Sequence, residues 1–241
     1  MRIVRKTVSS LLCLGFLLSP AISLGKKKIL YPNLPSGKAL NKGIPLSDYA
    51  YNPNSREQYF QTWNFYFQAD DGHQVFANFV ISNLGIGDNA CGLNISMNTP
   101  SGKSNIQTKQ VSGDEFSSRS KNKNLHCGDS FMKMRANSIH IRGEYSDLGM
   151  DLQIKRKSPG LAIDKFYLDQ DKKDYVHFNM PHVHSSARGR IKWNGRWFSV
   201  TGQAIVAHVN QNVGLHDYSM RWNRIRSLTN DTTLLIGGFD A

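Results

Sequence analysis

Two histidines separated by a single residue, His182 and His184, form the pattern in this chain that most resembles a metal site. Residues two apart on a β-strand share a face, so both imidazoles could bind one Zn²⁺ or Fe²⁺ ion. A third ligand would have to come from a distant residue, namely His177, His208, His216 or Asp217. No carboxylate lies nearby in sequence, and the even-numbered residues from 182 to 190 fit a solvated basic face equally well. We therefore predict no metal ion and no other cofactor.

Aromatic residues form a second set that could act together. Taken alone, each is explained as an ordinary core residue. As a group, they fit the lining of a pocket for an elongated apolar ligand. The candidate ligand-binding aromatic residues are Trp63, Phe65, Phe67, Phe79, Trp193, Phe198 and Trp222. Arg221 could close one end of such a pocket by stacking, or bind a lipid head group. His208 continues the alternating apolar face of residues 198–206 and is predicted to point into the same interior.

Other chemistries lack support in the sequence. The G-x-S-x-G pattern of serine hydrolases and the glycine patterns of phosphate-binding loops are absent. The chain has 241 residues, of which 39% are hydrophobic and 20% are charged. This composition is typical of a globular protein and unlike that of a disordered or multi-span membrane protein.

The elements that must position these residues are predicted to be short β-strands. Apolar and polar residues alternate over residues 63–67, 93–97, 139–145 and 150–155, and no stretch of 11 or more residues has good helical periodicity. Turn signals separate the strands, and the strongest of them is the Asn194-Gly195 pair. Residues 75–81 and 205–209 are apolar on both faces, which indicates a second packing layer. The sequence predicts an all-β fold, an antiparallel barrel or strongly curved sheet.

The first 25 residues predict a secretory signal peptide. Three basic residues precede an apolar run over residues 8–18, which is shorter than the roughly 20 residues of a membrane-spanning helix. Small residues then place cleavage after Ser23 or after Gly25. An uncleaved anchor is the alternative, because three lysines follow at once. We expect an exported protein, periplasmic or secreted.

Export bears on both the charge and the cysteines. The leader holds three basic and no acidic residues, so its removal lowers the formal net charge from +12 to +9. An exported basic protein meets little nucleic acid, so we expect no nucleic-acid partner; an anionic membrane surface, or solubility alone, explains the charge. Cys91 and Cys127 both precede a glycine in turn-like settings, and export permits a disulfide between them. The oligomeric state is left open.

Two stretches resemble a known family. Residues 59–85, YFQTWNFYFQADDGHQVFANFVISNLG, resemble the opening of the fungal survival-factor family, with an aromatic strand, a DDG turn and a strand that ends in SN. Residues 189–226, GRIKWNGRWFSVTGQAIVAHVNQNVGLHDYSMRWNRIR, look like its later G-x-I, turn and G-x-A segment with a terminal RWN. The wider group is similar to hydroxyneurosporene synthases and tocopherol-cyclase-like proteins.

This resemblance implies a lipocalin-like, or calycin, fold with two tandem sheets and the handling of a lipid. The survival factors are associated with ceramide movement and with survival of oxidative stress, and the relatives hydrate or cyclise isoprenoids. It further implies His208 and Asp217 as candidate catalytic acids and His216 as a ligand-binding residue. The relatives' Asp-His-Asn run is replaced here by residues 207–211, which departs from the catalytic pattern.

Together these features predict four segments: a signal peptide (1–25), an extended leader (26–58), a lipocalin-like domain (59–226) and a terminal strand (227–241). That strand would begin a second barrel that is truncated, lost or completed by a partner. We expect an exported carrier of a lipid or other hydrophobic small molecule that performs no chemistry and is linked to the envelope or to oxidative stress. The alternatives are an isoprenoid hydratase or cyclase, and a structural envelope protein whose own side chains fill the barrel.

Overall fold

The computed structural model describes residues 44–84, 87–162, 165–214, 221–228 and 233–240. These residues form strands and two 3₁₀ turns, and no helix among them is long and apolar enough to cross a membrane. The strands are β1 (Phe60–Ala69), β2 (Gln74–Ser82), β3 (Ala90–Asn98), β4 (Ser104–Val111), β5 (Phe116–Arg119), β6 (Asn124–Cys127), β7 (Ser130–Arg135), β8 (Ser138–Glu144), β9 (Gly149–Arg156), β10 (Leu161–Ala162), β11 (Phe166–Tyr167), β12 (Tyr175–Trp193), β13 (Arg196–Gln211), β14 (Arg221–Leu228) and β15 (Thr233–Asp240).

One antiparallel sheet forms most of the described chain. Its strands follow the order β4-β3-β2-β1-β13-β12-β9-β8-β7-β6-β5, with β10 and β11 paired to β12, while β14 and β15 form a separate hairpin. The sheet curls until its two edges approach, which gives a barrel that is nearly closed and has one unsealed seam. The prediction of an all-β, antiparallel, lipocalin-like sheet is confirmed.

Side chains bridge the seam that backbone pairing leaves open. A disulfide joins Cys91 on β3 to Cys127 on β6, with 5.8 Å between their Cα atoms. The Tyr145 hydroxyl, in the turn that follows β8, donates a hydrogen bond to the carbonyl of Leu93 on β3. The two edges are thereby fixed to each other without a continuous ladder.

The predicted hairpin at Asn194-Gly195 joins the two longest strands, β12 and β13. Both residues have positive φ, 47° and 79°, as a two-residue turn of the favoured mirror-image type requires. Trp193 pairs with Arg196 directly across this turn. We call this region of the barrel the hairpin end.

Both faces of the central strands are buried. The interior contains the alternating apolar residues of nearly every strand, including the odd-numbered residues of β1 and β2. The outer faces of β12 and β13 carry two further apolar clusters, built around Ile205 with Met180 and around Val209 with Val176. Residues 205–209 are therefore apolar on both faces because each face is covered, as predicted. In residues 75–81 only the inward positions are fully buried.

The segment before β1 closes the opposite end of the barrel. Residues 44–52, which we call the strap, include a 3₁₀ turn at Leu46–Asp48 and belong to the region predicted as an extended leader. The side chains of Ile44, Tyr49 and Tyr51 join the interior apolar cluster. We call this region the strap end.

Candidate functional site

Three polar side chains inside the barrel bind three consecutive carbonyl groups of the strap. Asn179 Nδ2 donates to the Asp48 carbonyl at 3.1 Å, and Trp63 Nε1 donates to the Tyr49 carbonyl at 2.7 Å. Gln61 Nε2 donates to the Ala50 carbonyl at 2.9 Å. The strap therefore lies on a row of hydrogen-bond donors supplied by β12 and β1.

Two consecutive irregularities in β12 turn its polar residues inward. The register of β12 against β13 shifts between Asn179 and His182 and again between His182 and Ser185. In this stretch, every third residue of β12 faces the interior of the barrel, where a regular strand would turn every second residue inward. Asn179 lies opposite His208, and His182 lies opposite Val206. A regular strand would have placed one of these polar side chains on the outer face.

His208 lies in this interior and is fully buried. Gln61 Nε2 donates to its Nε2 at 2.6 Å. The orientation of the Gln61 amide is set by its oxygen, which accepts from the Asn52 backbone N–H and the Tyr59 hydroxyl. His208 Nε2 is thus the acceptor, and the neutral ring carries its proton on Nδ1, which has no partner among the described residues.

His182 and Arg156 form the neighbouring part of the site. His182 is also fully buried, and its Nδ1 lies 3.0 Å from Ser185 Oγ while its Nε2 has no partner among the described residues. Arg156 pairs with Ser185 across the ladder and continues the inward face of β9. Its Nη2 donates to Asn137 Oδ1 at 2.6 Å, whereas its buried Nη1 has no acceptor among the described residues.

Burial keeps both imidazoles neutral. Desolvation lowers the pKa of His208 to about 3, with a smaller electrostatic contribution from His177. Desolvation also lowers the pKa of His182 to about 4, and the Arg156 guanidinium adds to the effect. A ring with such a pKa is a poor proton donor near neutrality, which argues against the acid role that the family resemblance implied for His208.

The predicted aromatic residues divide between the two ends. Trp63, Phe65, Phe67 and Phe79 lie inside, and each has 0–1% of its surface exposed, so the described interior is packed around them. Trp193 and Phe198 lie at the hairpin end, partly buried against the same cluster. Within the predicted set, the Trp63 ring lies beside His208, with ring centroids 5.2 Å apart, and beside Phe79, with ring centroids 6.1 Å apart.

The side chains of several predicted site residues lie outside what the structure describes. His216, Asp217 and the cleavage sites at Ser23 and Gly25 lie outside the described residues. Arg221 and Trp222 begin β14, where only their backbone pairing to Asp240 and Phe239 is described. Their functional roles stay predictions.

The expectation that His182 and His184 share a face is wrong. His182 points inward, whereas Val183 and His184 together lie opposite the single residue Ile205, and His184 is partly exposed. The cause is the irregularity of β12, which breaks the alternation on which the expectation rested. No group of three possible metal ligands occurs within the described ranges.

An open groove of about 460 Å³ lies on the outer surface of the sheet. It crosses β9, β12 and β13, and Arg188, Arg190 and Asp151 are among its lining residues. Arg190 lies 3.4 Å from Asp151, so much of the charge in the groove is already paired. The groove is shallow and exposed, unlike the strap end.

Sequence reasoning missed Gln61, Asn179, Arg156 and the strap. Gln61 and Arg156 each continue an apolar alternating face, Gln61 before Trp63 and Arg156 after Ile154, so simple alternation could have placed both inside. Pro181 in the middle of a central strand is a recognised sign of a bulge and could have warned of the irregularity. Nothing local in the sequence indicates the strap's position.

Comparison with protein families adds to this geometry. The Svf1 family model matches residues 39–236, which include the strap and nearly every strand. The chain belongs to the Svf1 family. The resemblance to survival factors seen in the sequence is thereby confirmed.

Solved structures of similar fold come from two other kinds of protein. The Svf1-family chain is similar to a protein assigned as an AttH from Nitrosomonas europaea, with 14% identity and a TM-score of 0.60, over 80% of this chain and 64% of that one. It is also similar to kievitone hydratase from Nectria haematococca, with 9% identity and a TM-score of 0.51, over 83% of this chain and 61% of that one. The chain thus spans less than two thirds of either protein. No curated protein matches it significantly.

At these identities the likeness establishes the fold alone. Family and fold together are consistent with a ligand-binding barrel.

Proposed function

We propose that this Svf1-family protein is exported and binds and carries a hydrophobic small molecule, a lipid, which enters the barrel at the strap end. The observation that carries this proposal is the set of buried polar atoms there that find no partner within the described part of the chain: His208 Nδ1, His182 Nε2 and Asn179 Oδ1. Buried polar groups are nearly always hydrogen-bonded, so such a set needs an explanation. Recognition of a ligand's polar group by a few converging side chains is a common one.

The strap's own side chains support uptake at this end. Ile44, Tyr49 and Tyr51 are part of the interior cluster, so movement of the strap would uncover apolar surface as well as hydrogen-bond donors. A hydrocarbon chain that replaces them would gain roughly 25 cal/mol for each Å² removed from water. The aromatic residues Trp63 and Phe79 would then contact the chain.

Export is supported by the signal-peptide pattern and by the Cys91–Cys127 disulfide, because such bonds persist in oxidising compartments. In the periplasm or outside the cell, the basic protein would meet anionic membrane surfaces, from which lipid could be collected. Membership of the Svf1 family supports the further proposal of a role in the envelope or in survival of oxidative stress.

Native mass spectrometry of the exported protein, purified from its own cells without detergent, tests this proposal. We expect a fraction of the protein to carry a lipid-sized adduct that collisional activation releases. A variant with Gln61→Leu should lose adduct, and a variant with Gln110→Leu, at an exposed position on the edge strand β4, should keep it. Bare protein from lipid-rich cells would refute carriage and favour the third candidate, a structural protein whose tightly packed interior has no ligand.

A hydratase or cyclase acting on an isoprenoid is the second candidate. It is favoured by the two buried imidazoles, each with one ring nitrogen that has no partner among the described residues, and one similar structure is a hydratase. Because the low pKa of His208 leaves its ring without a second proton near neutrality, Asp217 would have to supply the proton. Substrate turnover abolished by Asp217→Asn, with adduct binding retained, would support this candidate over simple carriage.

A further inference from the structure

We propose that the strap end is a binding site for the anionic oxygens of a carboxylate or phosphate head group on a long-chain amphiphile, and that the strap's carbonyl oxygens occupy this site in the present conformation. This inference rests on the proposed lipid binding and specifies its ligand class.

The hydrogen-bonding groups at this end are mostly donors. Asn179, Trp63 and Gln61 each donate an N–H to a strap carbonyl, so the strap meets them with acceptors alone. Carboxylates and phosphates likewise present only acceptors at neutral pH. A ligand of this class could take over the strap's hydrogen bonds one for one, whereas a ligand rich in donors could not.

Two imidazoles add to the donor set. His208 must carry its proton on the unpartnered Nδ1, because its Nε2 accepts from Gln61. His182 can present a proton on the unpartnered Nε2 when the Ser185 hydroxyl donates to its Nδ1. Asn179 Oδ1 is the one unpartnered acceptor among these side chains.

Arg156 supplies positive charge without a counterion. It faces the interior beside Ser185, and its hydrogen-bond partner, the Asn137 amide, is neutral. No carboxylate of the described residues forms an ion pair with it, and its Nη1 is buried without an acceptor. A buried guanidinium nitrogen in this state is unfavourable, and an oxyanion would satisfy both its charge and its hydrogen bond.

Tyr49 lies close enough to this guanidinium for the positive charge to oppose the rise in its pKa that burial causes. The strap thus places a phenol, the most acidic of the uncharged side-chain hydroxyls, near the unpaired cation. Withdrawal of the strap would remove this neutral phenol and leave its position to the anionic group of a ligand.

Equilibrium binding of three probes with the same alkyl chain tests the inference: laurate, dodecyl phosphate and dodecanol, each followed by tryptophan fluorescence of the full chain. We expect at least one anionic probe to bind about tenfold or more tightly than dodecanol, as charge-assisted bonds to a poorly solvated guanidinium predict. Tighter binding of laurate would assign the site to free carboxylates, and tighter binding of dodecyl phosphate would assign it to phosphate head groups.

Matched variants locate the effect. Arg156→Met should abolish the preference for the anion and leave dodecanol binding nearly unchanged, and Arg188→Met, on the outer face, should alter neither. If Arg156→Met does not fold, Arg156→Lys keeps the charge but loses the paired geometry, and it should weaken anion binding alone. Equal binding of dodecanol and both anions would overturn the inference while lipid binding stands. Failure of all three probes to bind would overturn the proposed function with it.

Discussion

The strap end and the hairpin end of this barrel treat polar groups in opposite ways. At the strap end, His208 and His182 are fully buried and each keeps one ring nitrogen without a partner among the described residues. At the hairpin end, Lys192 Nζ lies 2.9 Å from Glu144 Oε1, and Trp197 Nε1 donates to the same carboxylate. At the strap end, buried ring nitrogens lack hydrogen-bond partners among the described residues. At the hairpin end, the polar groups are hydrogen-bonded to each other close to the surface.

That difference separates a site from a structural contact. Exposed, paired charges contribute little to stability and need no further explanation. Buried polar atoms without partners reduce stability, and their retention is best explained by a ligand or by chemistry. The strap end is therefore the candidate site, and the hairpin end is its structural counterpart.

The largest expected effect is loss of stability in acid. The folded-state pKa values of His208 and His182, about 3 and about 4, lie below the value of 6.5 expected when unfolded. The unfolded chain therefore binds more protons between pH 6.5 and 4, and the free energy of unfolding should fall with decreasing pH by about 1 kcal/mol per pH unit for each ring. Urea unfolding at several pH values measures this slope. His208→Phe should reduce it, and an unchanged slope in that variant would contradict the account.

Removal of the disulfide should be the next largest effect. The bond closes a loop with a sequence separation of 36 and joins the seam near the strap end. Cys91→Ala with Cys127→Ala should lower the free energy of unfolding by about 3–4 kcal/mol, mainly because the unfolded chain gains freedom. Chemical denaturation of the oxidised protein and the double variant provides the measurement. A loss under about 1 kcal/mol would mean that other contacts hold the seam.

A matched pair of tryptophan substitutions compares the ends directly. Trp63→Phe removes the donor to the Tyr49 carbonyl and leaves a small void, and should destabilise the protein by about 2 kcal/mol. Trp197→Phe removes the bond to Glu144 and trims a partly exposed ring that also contacts the Arg190 guanidinium, and it should cost about 0.5–1 kcal/mol. Thermal unfolding of both variants measures the two losses of stability. Equal losses would contradict the proposed difference between the two ends.

The smallest expected effect concerns the ion pair at the hairpin end. The Lys192 ammonium holds the pKa of the Glu144 carboxyl below its usual range, but that carboxylate is well exposed. Lys192→Met, which also removes the Nζ donor to the Tyr145 carbonyl, should therefore lower the free energy of unfolding by only about 0.5–1 kcal/mol, and by less in high salt. A loss several times larger would show that this end, too, depends on buried electrostatics.

Local sequence signals were sufficient for much of the fold. Alternation placed the strands and directed His208 inward, and Asn194-Gly195 specified the hairpin between β12 and β13. The site depends on longer-range features. The irregularities between Asn179 and Ser185 reverse which side chains face inward, and the strap reaches the interior through contacts with residues more than one hundred positions away. Such contacts follow from closure of the sheet, which no local pattern encodes.

Hydrogen–deuterium exchange of the full chain, with and without laurate or dodecyl phosphate, tests the central claim most directly. The strap's amides at Tyr51 and Asn52 are hydrogen-bonded to the Asn122 carbonyl and Gln61 Oε1. If the strap occupies the site that the ligand takes, these amides should exchange faster when the probe is bound, while β1 and β13 become better protected. Strap amides that stay equally protected, or become more so, in the presence of bound probe would contradict the account.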